Sequence, residues 1–204
     1  MVNFNQADID RVRRLYDRRV EELGDQVKTV GWSSEESQFM RFDILSRGLG
    51  FEGKSILDIG CGLGDFVRYA AGRGLTFRKY TGLDISEQLI STAKAKWNKR
   101  KDCSFEVGDI DQLESGSDIV IISGALNLKL ADNPSYIGTM LRKAWKKTNK
   151  VLAVNFLSTY VDYENSLNYH TDPSWAFAEC RSISDKVILY DDYPLWEFTI
   201  QMHK

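Results

Sequence analysis

From Lys54 onward, short runs rich in β-branched residues alternate with segments of helical pattern: KSILDI, GDFVRYAAGR, RKYTGLDI, SEQLISTAKAKW, CSFEVGDI, SDIVIIS, PSYIGTMLRKAWKK and NKVLAVNFLS. Alternation of this kind predicts an α/β fold, a parallel sheet with helices on both faces. The last stretch departs from it. DKVILYDDYPLWEFTIQMHK reads as two strands joined by a short Tyr-Pro connection, which suits an antiparallel hairpin at a sheet edge. No repeat or linker divides the sequence, so one domain is expected over residues 1–204, with an α/β core over 54–204 and a helical cap over 1–50.

In that cap, Ile9, Val12, Tyr16, Val20 and Leu23 recur at helical spacing, with Gly24 as a stop. Arginines 11, 13, 14, 18 and 19 are interleaved with acids, which favours a solvated helix face over a polyanion site. A second helix is expected within SSEESQFMRFDILSRGLG, with Ser at the N-cap and acids in the first turn; Gln38 and Arg41 share one of its faces.

The chain carries 27 basic and 29 acidic residues, a net charge of −2, and so has no general pull toward nucleic acid or an anionic membrane. Its three cysteines, Cys61, Cys103 and Cys180, are far apart and lack C-x-x-C spacing, which argues against a disulfide framework or a zinc site and for a reducing compartment. The polar start MVNFNQADID and the absence of a long apolar run predict no targeting or membrane segment, and a cytoplasmic location.

The chemistry is concentrated at the strand ends. LDIGCGLGDF packs Gly60, Gly62 and Gly64 behind the first strand, where bare backbone lets N–H groups approach a ligand at the start of a helix. A dinucleotide fingerprint would place its third glycine at position 65, where Asp65 stands, and no Gly-Lys-Ser/Thr follows for nucleotide phosphates. Asp58 at the strand end favours a cationic or ammonium-bearing ligand. The second strand ends at Asp84, suited to accepting both hydroxyls of a ribose. The third ends VGDID, with Asp109 placed for an adenine amino group and the Ile110 backbone for the ring. The fourth delivers Ser123, Gly124, Ala125, Leu126 and Asn127.

In this order and at these intervals, LDIGCGLGDF, GLDIS, VGDI and IVIISGALN resemble the successive motifs of the class I S-adenosylmethionine-dependent methyltransferases, over roughly residues 54–130. The resemblance implies a Rossmann-like, seven-stranded sheet with the last strand inserted antiparallel. It implies that Asp58 lies near the methionyl amino group, and that the three glycines, with Cys61 and Asp65 in the same loop, pass beneath the cofactor. Asp84, beside Ile85, would hold the ribose, Asp109 and Ile110 the adenine, and Ser123 to Leu126, Ser123 and Gly124 foremost, would pass near the sulfonium and methyl. In several small-molecule members an arginine before the first strand grips the methionyl carboxylate, and Arg41 resembles it. The product would be S-adenosylhomocysteine.

Methyl transfer is an in-line displacement that asks mainly for alignment and the exclusion of water, so few fixed residues announce the acceptor. SGAL replaces the NPPY-like motif of enzymes acting on planar nitrogens, and no cysteine nucleophile stands there. A small-molecule acceptor, methylated on O or N, is the expectation; a cofactor-binding regulator and a methyltransferase acting on protein side chains are the alternatives. No metal is implied and no oligomeric state is indicated. Tyr160, Tyr163, Tyr169, His170 and Trp175 mark the variable region after the fifth strand as the acceptor side. His170 is the candidate base; the competing reading of His-Thr-Asp-Pro is a turn with His170 bonded to Asp172.

Overall fold

The computed structural model describes residues 6–162 and 165–204. Seven strands form one sheet: β1 (Ser55–Ile59), β2 (Lys79–Asp84), β3 (Cys103–Val107), β4 (Ser117–Ile122), β5 (Thr148–Leu157), β6 (Lys186–Tyr190) and β7 (Glu197–His203), in the order β3-β2-β1-β4-β5-β7-β6. The helices are α1 (Gln6–Leu23), α2 (Glu35–Leu45), α3 (Asp65–Gly72), α4 (Glu87–Lys96), α5 (Asn133–Lys146) and α6 (Pro173–Arg181), with a 3₁₀ turn at Ile110–Gln112. This is the α/β architecture expected from the alternating pattern, with the Rossmann-like, seven-stranded sheet and inserted last strand that the family resemblance implies.

β1 is buried at all five positions, because helices cover both faces of the sheet. Successive side chains point to opposite faces, so Leu57 and Ile59 join Val120, Ile122 and Leu152 in a core closed by α5 and α6. Ile56 joins Tyr80, Ile119 and Ile121 in a second core under α2, α3 and α4. Four helix starts carry the expected caps: Ser34, Ser86, Asp132 and Asp172 accept from the backbone N–H of Ser37, Leu89, Ser135 and Trp175 at 2.9–3.1 Å. Pro134 and Pro173 open α5 and α6, where a missing N–H costs nothing.

β7 lies between β5 and β6 and pairs antiparallel with both, through contacts such as Val154↔Ile200 and Leu189↔Ile200. The hairpin's first strand is therefore the edge. β7 is buried at six of its seven positions.

The strand order reverses between β1 and β4. A crevice opens there at the carboxyl ends of the parallel strands, the usual ligand position in open α/β sheets. α1 and the 24–34 segment cross this crevice. Arg13 Nε donates to the Ile85 carbonyl (3.0 Å), Ser86 Oγ to Asp17 (2.6 Å), and the Ala131 N–H to Asp8 (2.9 Å). No described helix is long and apolar enough to cross a membrane.

Candidate active site

The crevice is a cavity of about 670 Å³. Its floor is the turn after β1, held down by the Gly60 and Cys61 N–H groups donating to the Leu83 carbonyl at 2.8 and 3.1 Å. Gly60 (φ +72°) and Gly62 (φ +55°) occupy the left-handed region that favours glycine. A Cβ on Gly60 would lie 2.4 Å from Ala125 Cβ, and one on Gly62 2.6 Å from Val30. Gly64 does something else. It lies off the cavity, and its missing side chain admits Phe105 and Trp97, whose nearest atoms would stand 2.6 and 2.8 Å from a Cβ. The third glycine thus serves packing between α3 and the sheet.

Three carboxylates of the floor are buried: Asp58, Asp65 and Asp84. Asp58 accepts from the Tyr80 hydroxyl at 2.7 Å, and burial pushes its carboxyl up to about 7, with Asp84 and Asp65 adding in the same direction. Asp84 accepts from the N–H groups of Gly62 and Ser86, each at 3.0 Å; burial raises its carboxyl and these two bonds oppose the rise. Asp65 takes Gln38 Nε2 and Lys96 Nζ, each at 3.1 Å. Gln38 Oε1 is buried without a partner among the described residues. Cys61 lines the cavity as a protonated thiol, its ionisation opposed first by burial and then by Asp84 and Asp58.

Asp109 caps the 3₁₀ turn, accepting from the Asp111 N–H (3.1 Å) while its own N–H donates to Gln112 Oε1 (3.2 Å); it and the buried Ile110 line the cavity. Ile85 lines it beside Asp84, under Arg13. Tyr16 and Tyr136 flank this end; burial pushes each phenol up to about 12.

At the β4 end, Ser123 Oγ is buried and unpartnered among the described residues. The Gly124 N–H donates to Asn155 Oδ1 at 2.8 Å, and a Cβ on Gly124 would strike the Trp32 ring at 2.6 Å. Arg41 reaches the same wall. It forms a buried two-pronged ion pair with Glu197, donates to the Ser37 carbonyl at 2.8 Å and stacks on Trp32 at 4.1 Å. Three of its five N–H donors are used in this way. Glu197 also accepts from Asn155 Nδ2 at 3.0 Å.

His170 Nδ1 lies 2.8 Å from the Ser158 carbonyl. A carbonyl only accepts, so Nδ1 carries a proton, and in the neutral imidazole the lone pair lies on Nε2. Nε2 is buried and unpartnered among the described residues, and the residue lines the cavity. The turn reading pairs His170 with Asp172, but that carboxylate instead caps α6. Tyr169 and Trp175 pack against the core, Tyr160 is exposed, and Tyr163 lies outside the described residues. Among the described residues no group of three or more His, Cys, Asp or Glu is placed to hold a metal ion.

A methyltransferase-domain model matches residues 51–176. The chain belongs to the methyltransferase-domain family. Rv1506c of Mycobacterium tuberculosis, whose name assigns it to the methyltransferases, is 29% identical over 157 residues, 74% of this chain and 93% of that one. The ubiquinone biosynthesis O-methyltransferase of Neisseria meningitidis serogroup C is 26% identical over 179 residues, 78% of this chain and 72% of that one. In fold, magnesium protoporphyrin IX methyltransferase from Synechocystis PCC 6803, solved with bound SAM, superposes with a TM-score of 0.72 at 14% identity, covering 100% of this chain and 99% of that one.

The sequence pattern did not mark Glu197, Asn155 or Trp196 of this methyltransferase. Glu197 meets Arg41 and Asn155 because β7 is inserted beside β5, and Asn155 meets Gly124 through the parallel pairing of β5 with β4. No spacing in the sequence signals such a contact.

Proposed function

We propose that the protein transfers the methyl group of S-adenosylmethionine to an oxygen or nitrogen of a small-molecule acceptor, releasing S-adenosylhomocysteine. One observation carries this reading. The acid-lined glycine turn of β1 and β2 opens into the same cavity as a histidine whose tautomer is fixed with Nε2 basic.

The residues fit the cofactor. Gly60 and Gly62 form a turn that a Cβ would fill, and Gln38 Oε1 is an orphaned acceptor beside it. Buried Asp58 and Asp65 favour a cation, and Asp84 has lone pairs beyond its two backbone bonds. On this reading Asp58 and Gln38 hold the methionyl ammonium, Asp84 the ribose diol, and Asp109 and Ile110 the adenine. The remaining N–H donors of Arg41 reach the carboxylate. The described residues 6–50 act as a cap, with Val30 and Trp32 closing over Gly62 and Gly124.

When bound, the cofactor would supply an electrophilic methyl group on a positively charged sulfur able to keep the bonding pair. His170 Nε2 would take the proton lost by the acceptor's oxygen or nitrogen, and the Ser158 carbonyl would stabilise the imidazolium through Nδ1–H. The cap excludes water and fixes the line of attack.

Calorimetry with S-adenosylmethionine and S-adenosylhomocysteine tests the pocket, and transfer of labelled methyl to a metabolite extract tests the reaction. His170→Ala is expected to keep cofactor affinity within about twofold and to lower turnover by roughly 10²–10⁴. Binding without transfer to any acceptor would instead support a cofactor-binding regulator.

A further inference from the structure

Toward β5 and β7 the cavity changes character. Asn127 is 6% exposed and lines it. Its Oδ1 accepts from the Leu157 N–H at 3.2 Å, which fixes the amide orientation and leaves Nδ2 as a buried donor with no partner among the described residues. Ser123 Oγ and His170 Nε2 are unpartnered on the same cavity. A short β-bridge, Leu128↔Asn168, and the Tyr169 N–H donating to the Asn127 carbonyl (2.9 Å) hold these groups in register.

Around them Leu128, Leu157, Leu167, Leu195 and Trp196 form an apolar track, flanked by the polar Asp162, Asn165 and Asn168. Its rim is exposed, Leu167 at 55% and Trp196 at 64%. Tyr160, at 64%, is also exposed, and Ser158 links the two backbones: its N–H donates to the Trp196 carbonyl (3.1 Å) and its Oγ accepts from the Tyr160 N–H (3.0 Å). An exposed apolar rim continuous with a buried cavity marks a binding surface.

The charges here are as informative as the apolar wall. Among the described residues that line the cavity, the arginines are Arg19 and Arg41, and lysine is absent. Arg41 is matched by Glu197, while Arg19 stacks on Tyr16 and abuts Gly31 at the other end. A phosphate or carboxylate on the acceptor would therefore be desolvated with no free cation to meet it, and Asp162 would repel it.

We infer that the acceptor is an uncharged amphiphile, with a hydroxyl head at Asn127 and His170 and an apolar part that follows Leu128, Leu157 and Leu195 out between Leu167 and Trp196. The inference rests on the methyltransferase reading of the cavity and narrows it to one substrate class.

Titrating the S-adenosylhomocysteine-loaded protein with para-alkylphenols and para-alkylbenzoates, from ethyl to hexyl, near neutral pH, tests it. Phenol affinity is expected to rise about three- to fourfold per methylene, with para-hexylbenzoate at least about tenfold weaker than para-hexylphenol. Replacing Leu167 and Trp196 together by serine is expected to flatten the chain-length dependence and leave S-adenosylhomocysteine affinity unchanged. Benzoates that bind as well as phenols, or no chain-length dependence in the native protein, would overturn the inference while normal S-adenosylhomocysteine binding left the cofactor reading standing. Failure of the native protein to bind S-adenosylhomocysteine would overturn both. The phenol–benzoate comparison on the native chain decides the matter even if the double variant folds poorly.

Discussion

Asp58 is the residue at which binding and stability oppose each other. Burial raises its carboxyl to about 7, so the ionised form is disfavoured in the ligand-free fold. Between the unfolded value, near 3.8, and about 7 the folded state holds a proton that the unfolded state has lost. Stability from this group is thus fully present below that window and declines as pH rises through it, by up to about 1.4 kcal/mol per pH unit. A ligand ammonium reverses the penalty by pairing with the ionised carboxylate. Affinity for S-adenosylhomocysteine should accordingly fall by up to about tenfold per pH unit below neutrality, as read by calorimetry across a pH series. Asp58→Asn keeps an acceptor for the Tyr80 hydroxyl without the ionisation penalty. It should raise the ligand-free Tm by a few degrees and weaken S-adenosylhomocysteine by about tenfold or more. The buried pair Arg41–Glu197 is a second case: Glu197→Ala strands a guanidinium and should cost about 3–5 kcal/mol in denaturant unfolding. Replacing both partners, Arg41→Met with Glu197→Leu, should restore most of that loss.

Among the elements, α1 has an apolar stripe that finds no core. Ile9, Val12 and Tyr16 line the cavity, and no residue of α1 is fully buried, although polar ties from Asp8, Arg11, Arg13 and Asp17 fix its position. Its packing partner is therefore the ligand as much as the protein. Removing residues 1–23 should leave a cooperative transition within a few degrees of the full chain, because neither hydrophobic core draws on α1. S-adenosylhomocysteine affinity should drop by about tenfold or more. Amide exchange should show α1 protected only when ligand is present; equal protection without ligand would make it a structural helix. The amphipathic period of α1 was legible in the sequence. Which surface its apolar face covers was not, since periodicity reports a face and not its partner.

At the scale of the whole molecule, the cavity joins the cap, the β1–β4 switch and the hairpin, so one ligand stabilises elements distant in sequence. S-adenosylhomocysteine at about a hundred times its Kd should add about 2.7 kcal/mol and raise the Tm by roughly 5–10 °C in a thermal scan. Alternating strand and helix patterns determined the parallel sheet, because a run buried on both faces needs helices above and below it. The ends of β1, β2 and β4 were legible for the same reason: short-range backbone demands, such as the positive φ of Gly60 and Gly62, are written where they act. Gly64 shares that positive φ (+72°), but the packing of Phe105 and Trp97 into the space its Cβ would fill was not legible, because β3 and α4 bring those rings there. The acceptor side was legible only in part: Asn127 and His170 stood at or after strand ends, but Trp196 and Glu197 reach them through the antiparallel insertion of β7, and Asn155 reaches Gly124 through the pairing of β5 with β4. The sequence by itself determined the α/β sheet and the acidic, glycine-lined half of the cavity, since each of those residues lies within a turn of a strand end. The tertiary structure alone decided the apolar half and its balanced charges, because those depend on contacts between segments that no local pattern couples.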